Sequence, residues 1–196
     1  MGSVRSDTPT AVFTAHKILI AGGFGSGKTT LVGAISEVRP LRTEEVLTTA
    51  SIGLDDLAGV SRKTTTTVAL DFGRITLGQS VALYLFGLPG QERFSFMWDE
   101  LSYGALGAVI LADVRRLSDC FPSVNYFETR RLPFIVAINC FDDAPRYAAE
   151  EVQVALDLAP DVPVMLCDAR NVASVKQVLI TLVQAISASR AGSSRT

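Results

Sequence analysis

The chain has 196 residues, the size of one ordinary domain with a substantial core. Hydrophobic residues make up 48% of it and the mean hydropathy is +0.31, which favours elements that are buried on both faces. A formal net charge of −2 gives no indication of nucleic-acid binding, and no Lys/Arg run suggests attraction to an anionic membrane surface.

The cysteines and the chain ends bear on the compartment and the domain limits. Cys120, Cys140 and Cys167 are odd in number and lack C-x-x-C spacing, as expected of reduced thiols in a cytoplasmic protein. We expect no apolar run of membrane-spanning length, and so no integral membrane segment. Polar composition predicts disordered tails at residues 1–12 and 189–196, around a single domain at residues 13–188.

The first predicted strand, Lys17–Ala21, leads directly into a glycine-rich loop and then a predicted helix, Lys28–Glu37. Gly22 and Gly27 frame a G-x-x-x-x-G-K-[ST] match, in which backbone N–H groups and the helix N-terminus cradle phosphates. Lys28 adds a full charge on the terminal phosphates, and Thr29 offers a hydroxyl to Mg²⁺. The predicted phosphate-site residues are Gly23, Phe24, Gly25, Ser26, Gly27, Lys28, Thr29 and Thr30.

Four further apolar runs predict parallel strands, and four further stretches between and after them predict helices. The strands are Val81–Phe86, Ala108–Ala112, Phe134–Ile138 and Val164–Cys167. The helices are Glu92–Tyr103, Ser118–Thr129, Arg146–Leu158 and Ser174–Ser187. This alternation predicts an α/β doubly wound domain with ligand loops at the carboxyl ends of the strands.

One segment breaks the alternation. Thr67–Ile75 carries apolar residues on one face and reaches Val81 through a connection too short for a helix. It is therefore predicted to be an antiparallel edge strand in a hairpin. The long connector before it, residues 38–67, has the length of a functional loop.

Three further motifs follow the P-loop in a definite order. They are Leu88-Pro89-Gly90-Gln91-Glu92, Asn139-Cys140-Phe141-Asp142 and Cys167-Asp168-Ala169-Arg170, and each follows a predicted strand. Together with the P-loop (Gly22–Thr29) and the threonine-rich run Thr64–Thr67, they resemble the five G boxes of a Ras-superfamily small GTPase. Within that superfamily the chain is most similar to the bacterial MglA-like branch and its actinobacterial conservon-type GTP-binding proteins. The resemblance extends from about Ala15 to Ile186.

This resemblance implies a P-loop NTPase G domain, with a six-stranded, mostly parallel sheet, one antiparallel edge strand and helices on both faces. It implies GTP/GDP and Mg²⁺ as ligands, and a switch that hydrolyses GTP slowly. It also implies a roadblock-fold (LC7-type) regulator and a sensor-kinase complex as partners, with the protein in the cytoplasm or held at the inner face of the membrane through them.

The resemblance also implies a base site. Asp142 would accept hydrogen bonds from guanine N1–H and the 2-amino group, donors that adenine lacks. Asn139 would brace the loop and touch the base edge, and the N–H of Ala169 would meet guanine O6, with Asp168 and Arg170 beside it. Cys140 departs from the family's lysine, whose stem covers the base.

Gly90 and Gln91 match the D-x-x-G-Q box, so Gly90 would sense the γ-phosphate, while Gln91 would orient the attacking water and act with Lys28 in catalysis. The box's aspartate is Gly87 here, which leaves Mg²⁺ to Thr29, phosphates, water and a switch threonine. That threonine is one of Thr64, Thr65, Thr66 and Thr67, and distance to the edge strand favours Thr67 as the metal ligand.

Two departures bear on turnover. Phe24 would crowd an arginine reaching the γ-phosphate from a partner, and Arg62 is a candidate for that charge in cis. In the helix Glu92–Tyr103, Phe96 and Tyr103 fall on the face opposite the predicted core stripe, a candidate partner surface.

The alternative to a slow GTPase switch is a nucleotide-bound scaffold with negligible turnover. An ATP-dependent P-loop enzyme is a weaker third hypothesis.

Overall fold

The computed structural model describes residues 14–39, 41–48, 65–78 and 80–193. In these ranges the backbone forms seven strands and five α-helices. The strands are β1 (Thr14–Ala21), β2 (Leu41–Thr48), β3 (Thr65–Leu77), β4 (Val81–Gly87), β5 (Ala105–Ala112), β6 (Phe134–Asn139) and β7 (Val164–Cys167). The helices are α1 (Lys28–Ile35), α2 (Trp98–Ser102), α3 (Phe121–Arg130), α4 (Ala149–Ala155) and α5 (Val172–Ser193).

All strands form one sheet in the order β2-β3-β4-β1-β5-β6-β7. β3 is antiparallel to both of its neighbours and the remaining pairs are parallel, which confirms the mostly parallel sheet with one antiparallel strand. All six predicted strands are present. The predicted edge position of β3 is corrected, because β2, from the connector that sequence reasoning left as a loop, pairs along its outer side.

The helices cover both faces of the sheet, and each face has its own hydrophobic core. α1 and α5 pack on one face through residues such as Leu31, Val178 and Leu182. α3 and α4 pack on the other through Phe127 and Val152, among others. The central strands are buried on both faces, which is why their sequences are unbroken apolar runs.

Two predicted helices are much shorter than expected. The predicted helix Glu92–Tyr103 divides into a 3₁₀ segment, Glu92–Met97, and the short α2. α4 ends at Ala155, soon before Asp157 takes a left-handed φ of 52°, which an α-helix cannot accommodate. In the divided segment Glu92–Tyr103, Trp98 is buried, while Phe96 and Tyr103 are 67% and 87% exposed.

α5 corrects two expectations. It continues to Ser193, so residues 189–193 are helical where a disordered tail was predicted. By length and composition it is also apolar enough to span a bilayer, with a mean hydropathy of 1.4 over Val172–Ala191, contrary to the expectation that no run would be. Here one of its faces packs in the domain core, and Ile180 and Val183 lie on the exposed side.

Several predictions fall outside what the structure describes. These are the N-terminal tail at residues 1–12, Arg62 and Thr64. Thr67 lies in β3, where its backbone pairs with Val46, but its side chain is not described, so its metal role stays a prediction.

Candidate functional site

The carboxyl ends of β1, β4, β5, β6 and β7 lie at the same edge of the sheet, so the loops that follow them converge. These loops hold the P-loop, the Gly90–Gln91 box, the start of the segment leading to α3, and the two base-site motifs. The structure thus brings together motifs that are up to 148 positions apart (Arg170 − Gly22 = 148). Parallel α/β sheets bind ligands at this edge.

The P-loop is a tight turn that ends in α1. Ser26 N–H donates to the Gly23 carbonyl at 3.3 Å, and Gly27, at φ 105°, is the N-cap of the helix. The Ser26 hydroxyl is buried and has no hydrogen-bond partner among the described residues, so Ser26 contributes its backbone to the loop. Phe24 is 63% exposed at the tip, and Thr29 and Thr30 are exposed at the helix start.

Lys28 folds back over the loop. Its Nζ donates to the Gly22 and Gly23 carbonyls at 2.9 and 2.7 Å. Burial lowers the pKa of the Lys28 amine to about 8, while the Asp71 carboxylate acts in the opposite direction. A phosphate here would restore the charged form, because opposite charge favours it.

Gly90, the predicted phosphate sensor, lies directly against Lys28. A Cβ on Gly90 would lie 2.6 Å from Lys28 Nζ and 2.7 Å from the Gly22 carbonyl oxygen, so only glycine fits. The buried Trp98 indole donates to the Pro89 carbonyl at 3.1 Å and holds the segment in place. Gln91 follows at the start of the 3₁₀ segment, beside the P-loop.

Two contacts at the P-loop were not predicted. The Thr29 hydroxyl donates to Asp71 Oδ2 at 2.6 Å, across from β3. On the other side, Arg116 Nη2 donates to the Phe24 carbonyl at 2.6 Å. The only sequence signal for Arg116 was its place just after β5, in Asp113-Val114-Arg115-Arg116, at the carboxyl edge of the sheet. Asp71 gave no such signal, because it lies within a strand.

The base-site motifs are held together by Asn139. Its Nδ2 donates to the Ser26 carbonyl at 2.9 Å, and its Oδ1 accepts from Ala169 N–H at 3.1 Å, so it braces the P-loop and the last motif as predicted. The Ala169 N–H, predicted to meet guanine O6, donates to Asn139 here, and its contact with a base stays a prediction. Ala169 is 1% exposed, and a buried N–H needs an internal partner.

Arg170 joins the two carboxylates of the base site. It donates to Asp142 at 2.8 and 3.1 Å and to Asp168 at 2.9 and 3.1 Å. These hydrogen bonds hold the pKa of Asp142 and of Asp168 below the usual range. Each carboxylate oxygen has two lone-pair sites, so Asp142 keeps acceptor capacity on its exposed side. The Cys140 thiol donates to the Ile138 carbonyl at 3.9 Å.

A cavity of about 290 Å³ lies between the P-loop and the Gly90 segment, lined by Gly22, Phe24, Gly90 and Trp98 among others. Three larger cavities lie away from all the motifs, two of them grooves of about 650 and 590 Å³ and the third of about 320 Å³. The first is at the amino ends of β6 and β7 and the second is beside α5 and β3. Size alone would therefore have misplaced the site.

Comparison with known proteins supports a nucleotide site. Residues 20–189 match the model of a family described as conserved hypothetical ATP-binding proteins. An uncharacterised protein of Methanocaldococcus jannaschii is 26% identical over 128 residues, which is 64% of this chain and 70% of that protein.

Solved structures show the same fold. The G domain of the T. maritima FeoB iron transporter superposes with a TM-score of 0.60 at 19% identity, covering 87% of this chain and 98% of that domain. The cytosolic domain of the same transporter in a GDP form gives a TM-score of 0.63 at 17% identity, covering 89% of this chain and 64% of that one. The fold is a P-loop G domain.

Proposed function

The chain belongs to the family described as conserved hypothetical ATP-binding proteins, and we propose that it is a guanine-nucleotide switch that binds GTP and GDP with Mg²⁺ and hydrolyses GTP slowly. The observation that carries the proposal is the Asp142 carboxylate. Its outer side is exposed, and it lies beside a motif that Asn139 links to the P-loop by hydrogen bonds. A carboxylate in that position accepts from two adjacent donors, which guanine offers and adenine does not.

An ATP-binding protein is the second candidate, and two observations favour it. The family description names ATP. In addition, Arg170 already donates to both oxygens of Asp142, which reduces the acceptor capacity left for guanine. The two candidates differ in the base alone, because the phosphate site is the same for both.

Nucleotide competition separates these candidates. We expect GTP to displace a bound fluorescent GDP at least about thirtyfold better than ATP does, since a donor or acceptor that binding leaves unpaired costs roughly 1–3 kcal/mol and two are at stake. Asp142→Asn should shift preference toward xanthosine nucleotides, whose C2 carbonyl replaces the amino donor. Asp143→Asn, an equal charge change on the neighbouring exposed residue, should leave the preference unchanged. Equal displacement by ATP and GTP would contradict guanine specificity.

Hydrolysis is proposed to depend on Gln91, which follows Gly90 at the P-loop. Single-turnover γ-phosphate release should be slow in the wild type and lower by about tenfold or more in Gln91→Leu, because the family's glutamine orients the attacking water. Gln177→Leu, on the exposed side of α5, is the matched control and should hydrolyse GTP as the wild type does. If Gln91→Leu releases phosphate at the wild-type rate, the nucleotide-bound scaffold becomes the better description.

The proposed partners are a roadblock-fold regulator and a sensor-kinase complex, in the cytoplasm or at the inner face of the membrane. Their support is the resemblance to MglA-like proteins, together with the exposed aromatic side chain of Phe96 in the 3₁₀ segment that follows Gly90–Gln91. A large exposed aromatic side chain next to a nucleotide-sensing segment suits a partner that responds to the nucleotide state.

A further inference from the structure

The Thr29 hydroxyl, the predicted magnesium ligand of the P-loop, has a carboxylate partner from another strand. Thr29 Oγ1 donates to Asp71 Oδ2 at 2.6 Å, the length of a charge-assisted hydrogen bond. This contact joins the first turn of α1 to β3, between residues 42 positions apart. A hydroxyl that donates to a carboxylate has its lone pairs turned outward and available to a metal ion.

The register of the sheet explains why Asp71 lies at this point. Phe72 of β3 pairs with Phe86 of β4 in antiparallel register, so the next pair along would set Asp71 opposite Gly87. Directly opposite residues of an antiparallel pair present their side chains on the same face. Asp71 thus projects from the face on which a side chain at position 87 would stand.

The space at Gly87 is in fact taken by Asp71. A Cβ added to Gly87 would lie 3.0 Å from Asp71 Cβ and 3.2 Å from Asp71 Oδ2. Position 87 is where the D-x-x-G-Q box has its aspartate, and two carboxylates could not share this volume without repulsion. Gly87 therefore leaves the space that the Asp71 side chain fills, and the carboxylate comes from β3 instead of from position 87 of β4.

We propose that Asp71 supplies the carboxylate of the magnesium site, in the place of the aspartate missing at Gly87. This assignment rests on the proposed nucleotide binding. Asp71 would orient the Thr29 hydroxyl and accept a hydrogen bond from a water molecule that stays bound to Mg²⁺. Mg²⁺ is bound in such sites by one or two protein oxygens together with phosphates and waters. The pairing of one hydroxyl with one carboxylate fits that requirement, and Asp71 also opposes the lowering of the Lys28 pKa by burial.

The test measures the release of a fluorescent (mant) diphosphate nucleotide, GDP or ADP according to the wild-type preference, over a series of free Mg²⁺ concentrations. Wild-type release should slow as Mg²⁺ rises. In Asp71→Asn the half-saturating Mg²⁺ concentration should rise about 10- to 100-fold, as for other residues that orient a metal ligand. In EDTA the two proteins should release nucleotide at equal rates, because the P-loop is unchanged. Asp119→Asn removes another carboxylate near the P-loop and should shift the half-saturation by no more than about twofold, within mutational scatter.

A relocation variant tests the position itself. Asp71→Gly combined with Gly87→Asp returns the carboxylate to β4 and should recover most of the lost Mg²⁺ affinity. An equal half-saturating Mg²⁺ concentration in wild type and Asp71→Asn would overturn the proposal. A relocation variant that keeps the wild-type melting temperature but recovers none of the lost Mg²⁺ affinity would also overturn it. Absence of nucleotide binding by the wild type at saturating Mg²⁺ would instead contradict the proposed function itself.

Discussion

Replacing Lys28 by alanine should lower nucleotide affinity by about a thousandfold. A unit charge 4 Å from a phosphate oxygen is worth about 4 kcal/mol at the effective dielectric of a protein surface, and each 1.4 kcal/mol is tenfold in affinity. Lys28 is predicted to lie at such a distance from a bound phosphate, and its Nζ donates to the Gly22 and Gly23 carbonyls with Gly90 against it. No neutral side chain restores that attraction.

Calorimetric titration with GDP and GTP in the presence of Mg²⁺ measures this loss. Lys176→Ala is the control, because Lys176 is an exposed lysine on α5, away from the P-loop, and should bind nucleotide as the wild type does. The melting temperature of Lys28→Ala without nucleotide checks that the variant folds, because the substitution loses two hydrogen bonds to the P-loop carbonyls but also removes a charge that burial disfavours. An affinity within tenfold of wild type would show that this loop does not bind phosphate.

Replacing Gly22 by alanine should destabilise the fold by about 3 kcal/mol or more, from backbone strain of about 1–3 kcal/mol and overpacking of a similar size. Gly22 has a φ of 128°, outside the range of L-residues. Its added Cβ would lie 2.3 Å from the Leu111 carbonyl oxygen and 2.9 Å from Ser26 Oγ. The first of these is backbone of the central strand β5, which cannot move aside.

Gly78→Ala is the matched control. Gly78 also has a positive φ, 61°, but its Cβ would meet no atom of the described residues within 4 Å. Gly78→Ala should therefore lower the free energy of unfolding only by the strain of a left-handed backbone, about 1 kcal/mol. Thermal unfolding should place the Gly22→Ala melting temperature roughly 6–12 °C below wild type, at 2–4 °C per kcal/mol, and Gly78→Ala only about 2–4 °C below. Equal losses in the two variants would mean that the contact with Leu111 carries no cost.

Local patterns were sufficient to predict most of the fold. Unbroken apolar runs predicted the buried strands, because a strand covered by helices on both faces has no solvent side to alternate with. The missed strand, Leu41–Thr48, contains Arg42, Glu44 and Glu45 and carries no such signal. Its pairing depends on β3 having a free side, which is a property of the sheet and not of the segment.

The sequence by itself determined the P-loop and the order of the motifs, because each is a short stretch whose geometry follows from its own glycines and from the strand and helix that flank it. It also determined that these loops share one edge of the sheet, since parallel strands that alternate with helices end on the same side. Only the tertiary structure decided which side chains meet there. Arg170 bridges Asp142 and Asp168, and Asp71 accepts a hydrogen bond from Thr29. Side chains extend only a few ångströms, so these contacts form only when the strands and α1 are placed as they are in the folded chain. Register is fixed by packing across the whole sheet, and a one-residue slip would turn Asp71 to the opposite face.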